Sequence, residues 1–218
     1  MVMGAEANAV VWKEDLFPED LIPEILELVI TSWDSFEKPD RLEREVSISE
    51  EFVKNIRIEK NRRVDLPFHV WPEVNTLDTQ AEDKGRTDIL FAFLGTPKEE
   101  VHFVFECKRL RIPYPPPSKL ATNNSEYVNK QGMMCFVTGK YSGSVTNGGM
   151  IGYVMDGRTE KAIPSVGILI KKKRLALKLA EDTGLERSSV MGDLQNVRET
   201  RHILNERKFT IHHIFLAV

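Results

Sequence analysis

The chain has 218 residues, a formal net charge of −3, 41% hydrophobic residues and 29% charged residues. That length suits one domain with a sizeable buried core, and that balance fits a globular chain rather than a disordered or membrane-spanning one, since no apolar run approaches the roughly 20 residues of a membrane span. A slightly acidic chain does not bind nucleic acid by bulk charge, so any such binding rests on a local basic surface or a partner.

The opening Met1-Val2-Met3-Gly4-Ala5-Glu6-Ala7 carries an acid and no long apolar centre, unlike a secretory signal. Residues 19–36 predict a helix with Ile25, Leu28, Val29 and Trp33 on one face and Pro23 in its first turn. Residues 41–60 predict a second, with Leu42, Val46, Phe52, Val53 and Ile56 as its apolar positions. Residues 66–74 read as a strand, placed at a sheet edge because its prolines remove donors, and Asn75–Lys84 as a polar loop. Residues 86–94 and 101–108 are strands rich in β-branched and aromatic residues, joined by the turn segment Gly95–Glu100. Ile112–Pro117 is extended, and residues 123–137 predict a helix capped by Asn123 or Asn124. Gly139–Gly149 is a flexible loop, residues 149–155 a buried strand, and Asp156 or Thr159 caps a helix running to about Ala180. Residues 181–207 read as charged and partly helical, and Phe209–Val218 as a closing strand. The expectation is a single α/β domain with a mixed sheet, in three stretches of about 1–62, 63–156 and 157–218.

The chemistry concentrates in the central hairpin. Two strands with so short a link pair antiparallel, and a turn centred near Pro97 places residue 88 opposite residue 106. Opposed side chains lie roughly 5 Å apart at Cβ, close enough for two carboxylates to share a divalent cation bound at about 2.0–2.6 Å. Side chains alternate along a strand, so Glu106 and Lys108 point one way and Cys107 the other. Asp88, Glu106 and Lys108 are thus gathered into one cluster. Two carboxylates forced together raise each other's pKa unless a cation stands between them, and Lys108 is one charge against two. Acidic and basic residues also occur at strand ends without any function.

Gly85-Arg86-Thr87-Asp88-Ile89 followed by Phe105-Glu106-Cys107-Lys108, on a hairpin set between helices, resembles the PD-(D/E)XK nuclease superfamily. Thr87 stands where the family name has a proline, a position that is not a metal ligand. The resemblance covers about residues 41–156 and implies a restriction-endonuclease-like fold, a central mixed β-sheet flanked by helices. It implies Mg²⁺ or Mn²⁺ held by Asp88, Glu106 and the main-chain carbonyl of Cys107, with Lys108 orienting a water or stabilising developing charge. It also implies an acid from the preceding helix, for which Glu45 is the candidate and Glu43, Glu50 and Glu73 are rivals, each of which also reads as a solvated charge. Tyr127 and Gln131, four apart on the expected helix, are candidates to contact a phosphate or water. The implied activity is a DNA endonuclease of a bacterial defence or mobile-element system, cytoplasmic, with a larger protein partner and, for cutting two strands at once, a homodimer. A ribonuclease on the same fold and a catalytically silent subunit are the alternatives.

Arg86, Arg109, Arg111 and Lys119 flank the active strands and are the candidate nucleic-acid contacts. Lys171-Lys172-Lys173-Arg174 is a basic run that reads either as a solvated helix face or as a phosphate track. His212 and His213 are adjacent and so face opposite sides of a strand, one of them at the edge of the core. Cys107 and Cys135 are expected to be reduced thiols, and there is no Cys/His spacing for structural zinc, no phosphate loop and no Ser/His/Asp arrangement.

Overall fold

The computed structural model describes residues 17–63, 65–75, 86–95, 102–113, 120–121, 124–141, 145–181 and 183–218. Among them, in chain order, are α1 (Leu21–Ser35), α2 (Glu45–Arg62), β1 (Phe68–Asn75), β2 (Arg86–Phe93), β3 (His102–Leu110), the short β4 (Ile112–Pro113) and β5 (Leu120–Ala121), α3 (Asn124–Tyr127), α4 (Met134–Val137), β6 (Asn147–Val154), α5 (Thr159–Lys172), β7 (Glu186–Arg187), β8 (Val197–Leu204) and β9 (Arg207–Ala217). Seven strands form one mixed sheet in the order β1-β2-β3-β6-β9-β8-β7. Its centre, β3-β6-β9, is parallel, and both flanks are antiparallel. The protein is therefore α/β with a mixed sheet flanked by helices, as the element pattern predicts, and β1 with its Pro72 lies at an edge.

Side-chain alternation gives the sheet two faces, each with its own core. Phe103, Phe105, Cys107, Ile151, Tyr153 and Ile214 project to one face, against Ile25, Val29 and Trp33 of α1 and Phe52 and Ile56 of α2. Val104, Leu110, Met150, Val154, Ile211 and Phe215 project to the other, against Tyr127, Phe136, Val166 and Ile170. Burying each of these large apolar side chains contributes about 1.5–3 kcal/mol. Glycines let β6 sit close to its neighbours: a Cβ on Gly149 would stand 2.3 Å from the Phe105 ring.

Several sequence expectations give way to tertiary structure, and the helix expected to run to about Ala180 ends at Lys172. The helix over 123–137 breaks into α3 and α4, because the chain turns through 128–133, with Met133 N–H donating to the Tyr127 carbonyl and Gly132 packed on the backbone of residues 126–127. The stretch 181–207 is not helical but supplies β7 and β8. Its Val197-Arg-Glu-Thr-Arg-His-Ile-Leu204 pairs along its whole length with β9, through a two-residue turn in which Asn205 and Glu206 both have positive φ. Leu42 and Val46, assigned to the apolar face of the second helix, are 59% and 48% exposed: Leu42 precedes α2, and the buried stripe is Ile48, Phe52, Val53 and Ile56.

Candidate active site

β2 and β3 pair antiparallel from Ala92–His102 up to Ile89–Phe105, one step short of the expected Asp88–Glu106 pair. Beyond it the strands part. β2 goes on pairing with β1 as far as Arg86–Asn75, while β3 goes on pairing with β6. The backbone groups of Cys107 and Arg109 that face β2 thus lose their ladder partners at the fork, and such groups must find others. Carboxylates supply them. Asp88 Oδ2 accepts from the Cys107 N–H at 2.6 Å, and Glu45 Oε2, from the first turn of α2, accepts from the Arg109 N–H at 2.9 Å.

Lys108 ties the cluster together. Its ammonium donates to Glu106 Oε1 at 2.8 Å, to Glu45 Oε1 at 2.8 Å and to the Cys107 carbonyl at 2.6 Å, which uses all three of its donors. Glu106 and Lys108 are only 5% and 6% exposed. Glu106 Oε2 is buried without a hydrogen-bond partner. Burial and the neighbouring Glu106 push the Asp88 carboxyl up to about 8. Burial also raises Glu106, against the opposing pull of Lys108 and of the Tyr141 hydroxyl. Lys108, despite its desolvation, is held firmly protonated by Glu106, Glu45 and Asp88. Among the described residues, three carboxyl groups face one ammonium at the fork.

Asp88, Glu106, Lys108 and the Cys107 carbonyl thus stand together, and Glu45 is the upstream acid that joins them. Glu43 and Glu50 are exposed, Glu43 taking the Arg44 N–H instead. Glu73 and Arg86 have side chains outside the described residues, as is the whole of Lys119. Gln131 and Tyr127 do not share a helix face: Gln131 is exposed on the turn, and Tyr127 is fully buried, donating to or accepting from His213 Nδ1 at 2.9 Å, so it is not a nucleic-acid contact. Arg111 is buried in a bidentate pair with Asp156, its Nε 3.0 and 2.9 Å from the two oxygens, and Arg109 donates to the Glu43 carbonyl at 2.7 Å. Arg111 is thus engaged within the fold, while Arg109 stays half-exposed.

His212 and His213 do face opposite sides of β9, and both are buried rather than one lying at the core edge. His212 meets Asn147 Oδ1 at 3.1 Å; His213 joins Tyr127, Thr200 and His202 in a buried chain of hydrogen bonds. Burial raises both thiols, Cys107 well above its ordinary value and Cys135 to about 11, so neither is a ready nucleophile, and neither is in a disulfide. Tyr141, a neighbour of Glu106, was missed by sequence reasoning because it lies within the stretch Gly139–Gly149 that reads as loop. Its signal is a lone aromatic among Gly and Ser.

The donors at the fork suit a hard divalent cation, being carboxylate and carbonyl oxygens, one of them a buried orphan. Among the described residues, however, no three Asp, Glu, His or Cys side chains stand together as a ready metal cage. No helix among them is long and apolar enough to cross a membrane. No family model, no curated protein and no solved structure matches the chain.

Proposed function

We propose that the protein is a metal-dependent phosphodiester hydrolase that cuts DNA, built on a restriction-endonuclease-like fold of the PD-(D/E)XK type. One observation carries the reading: Asp88, Glu106, Lys108 and the Cys107 carbonyl converge at the point where β2 and β3 separate. Asp88, Glu106 and the Cys107 carbonyl are the groups that would hold Mg²⁺ or Mn²⁺. Such an ion, when bound, supplies Lewis-acid polarisation of the scissile phosphate and a more acidic water. The chain's own part is positional. The Cys107 N–H fixes the Asp88 carboxylate at 2.6 Å. Lys108 is held charged, and its ammonium can offer a proton donor to a phosphate oxygen or orient the attacking water once it exchanges one of its three present acceptors. Glu45 anchors that ammonium from the helix side while capping the Arg109 N–H. The role of a nuclease component in a bacterial defence or mobile-element system, with a larger partner, belongs to the same proposal.

A second reading is a catalytically silent subunit on the same fold. It is favoured by the saturation of Lys108, whose charge already stands among the acceptors that a metal would use.

The test is cleavage of plasmid DNA, single-stranded DNA and RNA by the purified protein with Mg²⁺ or Mn²⁺, beside Asp88→Ala and Lys108→Ala. Metal-dependent cutting of DNA abolished in both variants supports the proposal. Cutting of RNA alone makes it a ribonuclease. No cutting, together with calorimetry showing no metal binding that depends on Asp88, establishes the silent subunit.

A further inference from the structure

Charge is strongly segregated along this acidic chain. Residues 127–180 hold nine Lys and Arg against two Asp and Glu, a net of +7, while the remaining residues hold a net of −10. Its described residues include α4, the sheet strand β6 and α5, and α4 and α5 pack on the sheet face to which Glu106 and Lys108 point.

The contacts make part of it continuous with the fork. Tyr141, beside Glu106, carries the Lys140 ammonium 5.7 Å from its ring centre. The Tyr141 N–H donates to the Cys135 carbonyl, and Cys135 Sγ donates to the Lys130 carbonyl at 3.2 Å. Asn129, next to Lys130, accepts from the Lys173 ammonium at the end of α5. Lys171, Lys172 and Arg174 surround that point and are exposed. A helix C-terminus favours cations by about 0.3–1 kcal/mol each, which accounts for Lys171 and Lys172 but not for Lys130 or Lys140 on other elements. Arg111, beside the carboxylates, is buried in its pair with Asp156.

We infer that the strip from Lys140 through Lys130 to Lys171–Arg174 is a nucleic-acid surface that carries a DNA phosphate backbone from the end of α5 to the carboxylate fork. The inference rests on the reading of the chain as a nuclease and deepens it by giving the path of the substrate. A strip of separate lysines, without a pocket for a base, recognises charge and not sequence.

The experiment is binding of a labelled DNA duplex of about two helical turns, in EDTA so that nothing is cut, across a series of salt concentrations. The variants are Lys130→Gln/Lys140→Gln/Lys171→Gln/Lys172→Gln together and, as a version confined to two exposed side chains, Lys171→Glu/Lys172→Glu. The control is Lys54→Gln on α2, across the sheet. Each phosphate contact contributes about −0.9 to the slope of log K against log salt, so each lost contact weakens binding about eightfold at 0.1 M salt relative to 1 M. Loss of two or more contacts gives at least about sixtyfold weaker binding and a slope flatter by about 2 or more in the quadruple variant, with the control unchanged. Wild-type affinity and slope in both variants, or no salt-sensitive binding by the wild type, overturns the inference. Binding through the strip by a protein that neither cuts nor shows Asp88-dependent metal binding sustains the surface and rejects the nuclease. Cutting with an unaltered salt slope in the variants does the reverse.

Discussion

Lys108→Met is the sharpest probe of the fork. Methionine keeps the volume of the lysine stem but deletes the ammonium, so packing changes little while Glu106 loses the counter-charge 2.8 Å from its Oε1. Lys108 donates to Glu106, Glu45 and the Cys107 carbonyl, and it is 6% exposed. Removing one partner of a buried pair costs about 3–5 kcal/mol, because a desolvated charge is left behind. Glu45 is partly exposed and regains water, so its share is small. Glu106 can escape part of the penalty by taking a proton, which its raised pKa already favours. We therefore expect a loss of about 3 kcal/mol near neutral pH, out of the 5–15 kcal/mol typical of a domain. Because the Glu106 carboxyl titrates above its unfolded value, the unfolded chain releases its proton first, and the loss grows as pH rises and shrinks as pH falls. Urea unfolding followed by circular dichroism reads the effect as a midpoint shift of about 1 M or more. In a Glu106→Gln background the same substitution should cost at least about 1.5 kcal/mol less, since no carboxylate is stranded. A loss below about 1 kcal/mol at pH 7, or additivity of the two substitutions, would refute the reasoning: the cluster would then behave as a solvated surface pair.

Two further predictions concern the frame of the site. Burial lowers His202 and His212 to about 4, so both are neutral in the folded protein while an unfolded chain takes up protons near pH 6.5. The folded state therefore loses stability as pH falls from about 6.5 towards 4, by about 2 kcal/mol per histidine between pH 7 and pH 5. Asp88, whose pKa is raised, pulls the other way over that interval, so the readout is a difference. The stability gap between wild type and His202→Gln should narrow by about 2 kcal/mol from pH 7 to pH 5, and a constant gap would mean that His202 titrates normally. Gly149→Ala places a Cβ 2.3 Å from the Phe105 ring, between the two central parallel strands. It should lower stability by about 1–3 kcal/mol by thermal or urea unfolding, and an unchanged midpoint would show that the ring relaxes freely.

The sequence by itself determined the elements whose pattern is local and strong. The apolar spacing of α1 and the alternation of β2 and β3 are encoded within a few residues of where they act, which is why their antiparallel pairing was legible. The same alternation separated Glu106 and Lys108 from Cys107 and His212 from His213, because a strand has a period of two whatever surrounds it. Only the tertiary structure decided the rest. Val197–Leu204, with its charges, is a strand because β9 offers it a ladder along its full length. The helix expected over 123–137 breaks, and Tyr127 is drawn under the sheet onto His213 while Gln131 is left in solvent. Glu45, among several equivalent glutamates, reaches the site because β2 and β3 part there and α2 begins opposite the N–H groups that the parting leaves open. Arg109 and Arg111 meet Glu43 and Asp156, about 66 and 45 residues away, which no local pattern indicates. Local pattern fixes which groups a strand presents. What they meet depends on packing between distant segments, which no short window of sequence contains.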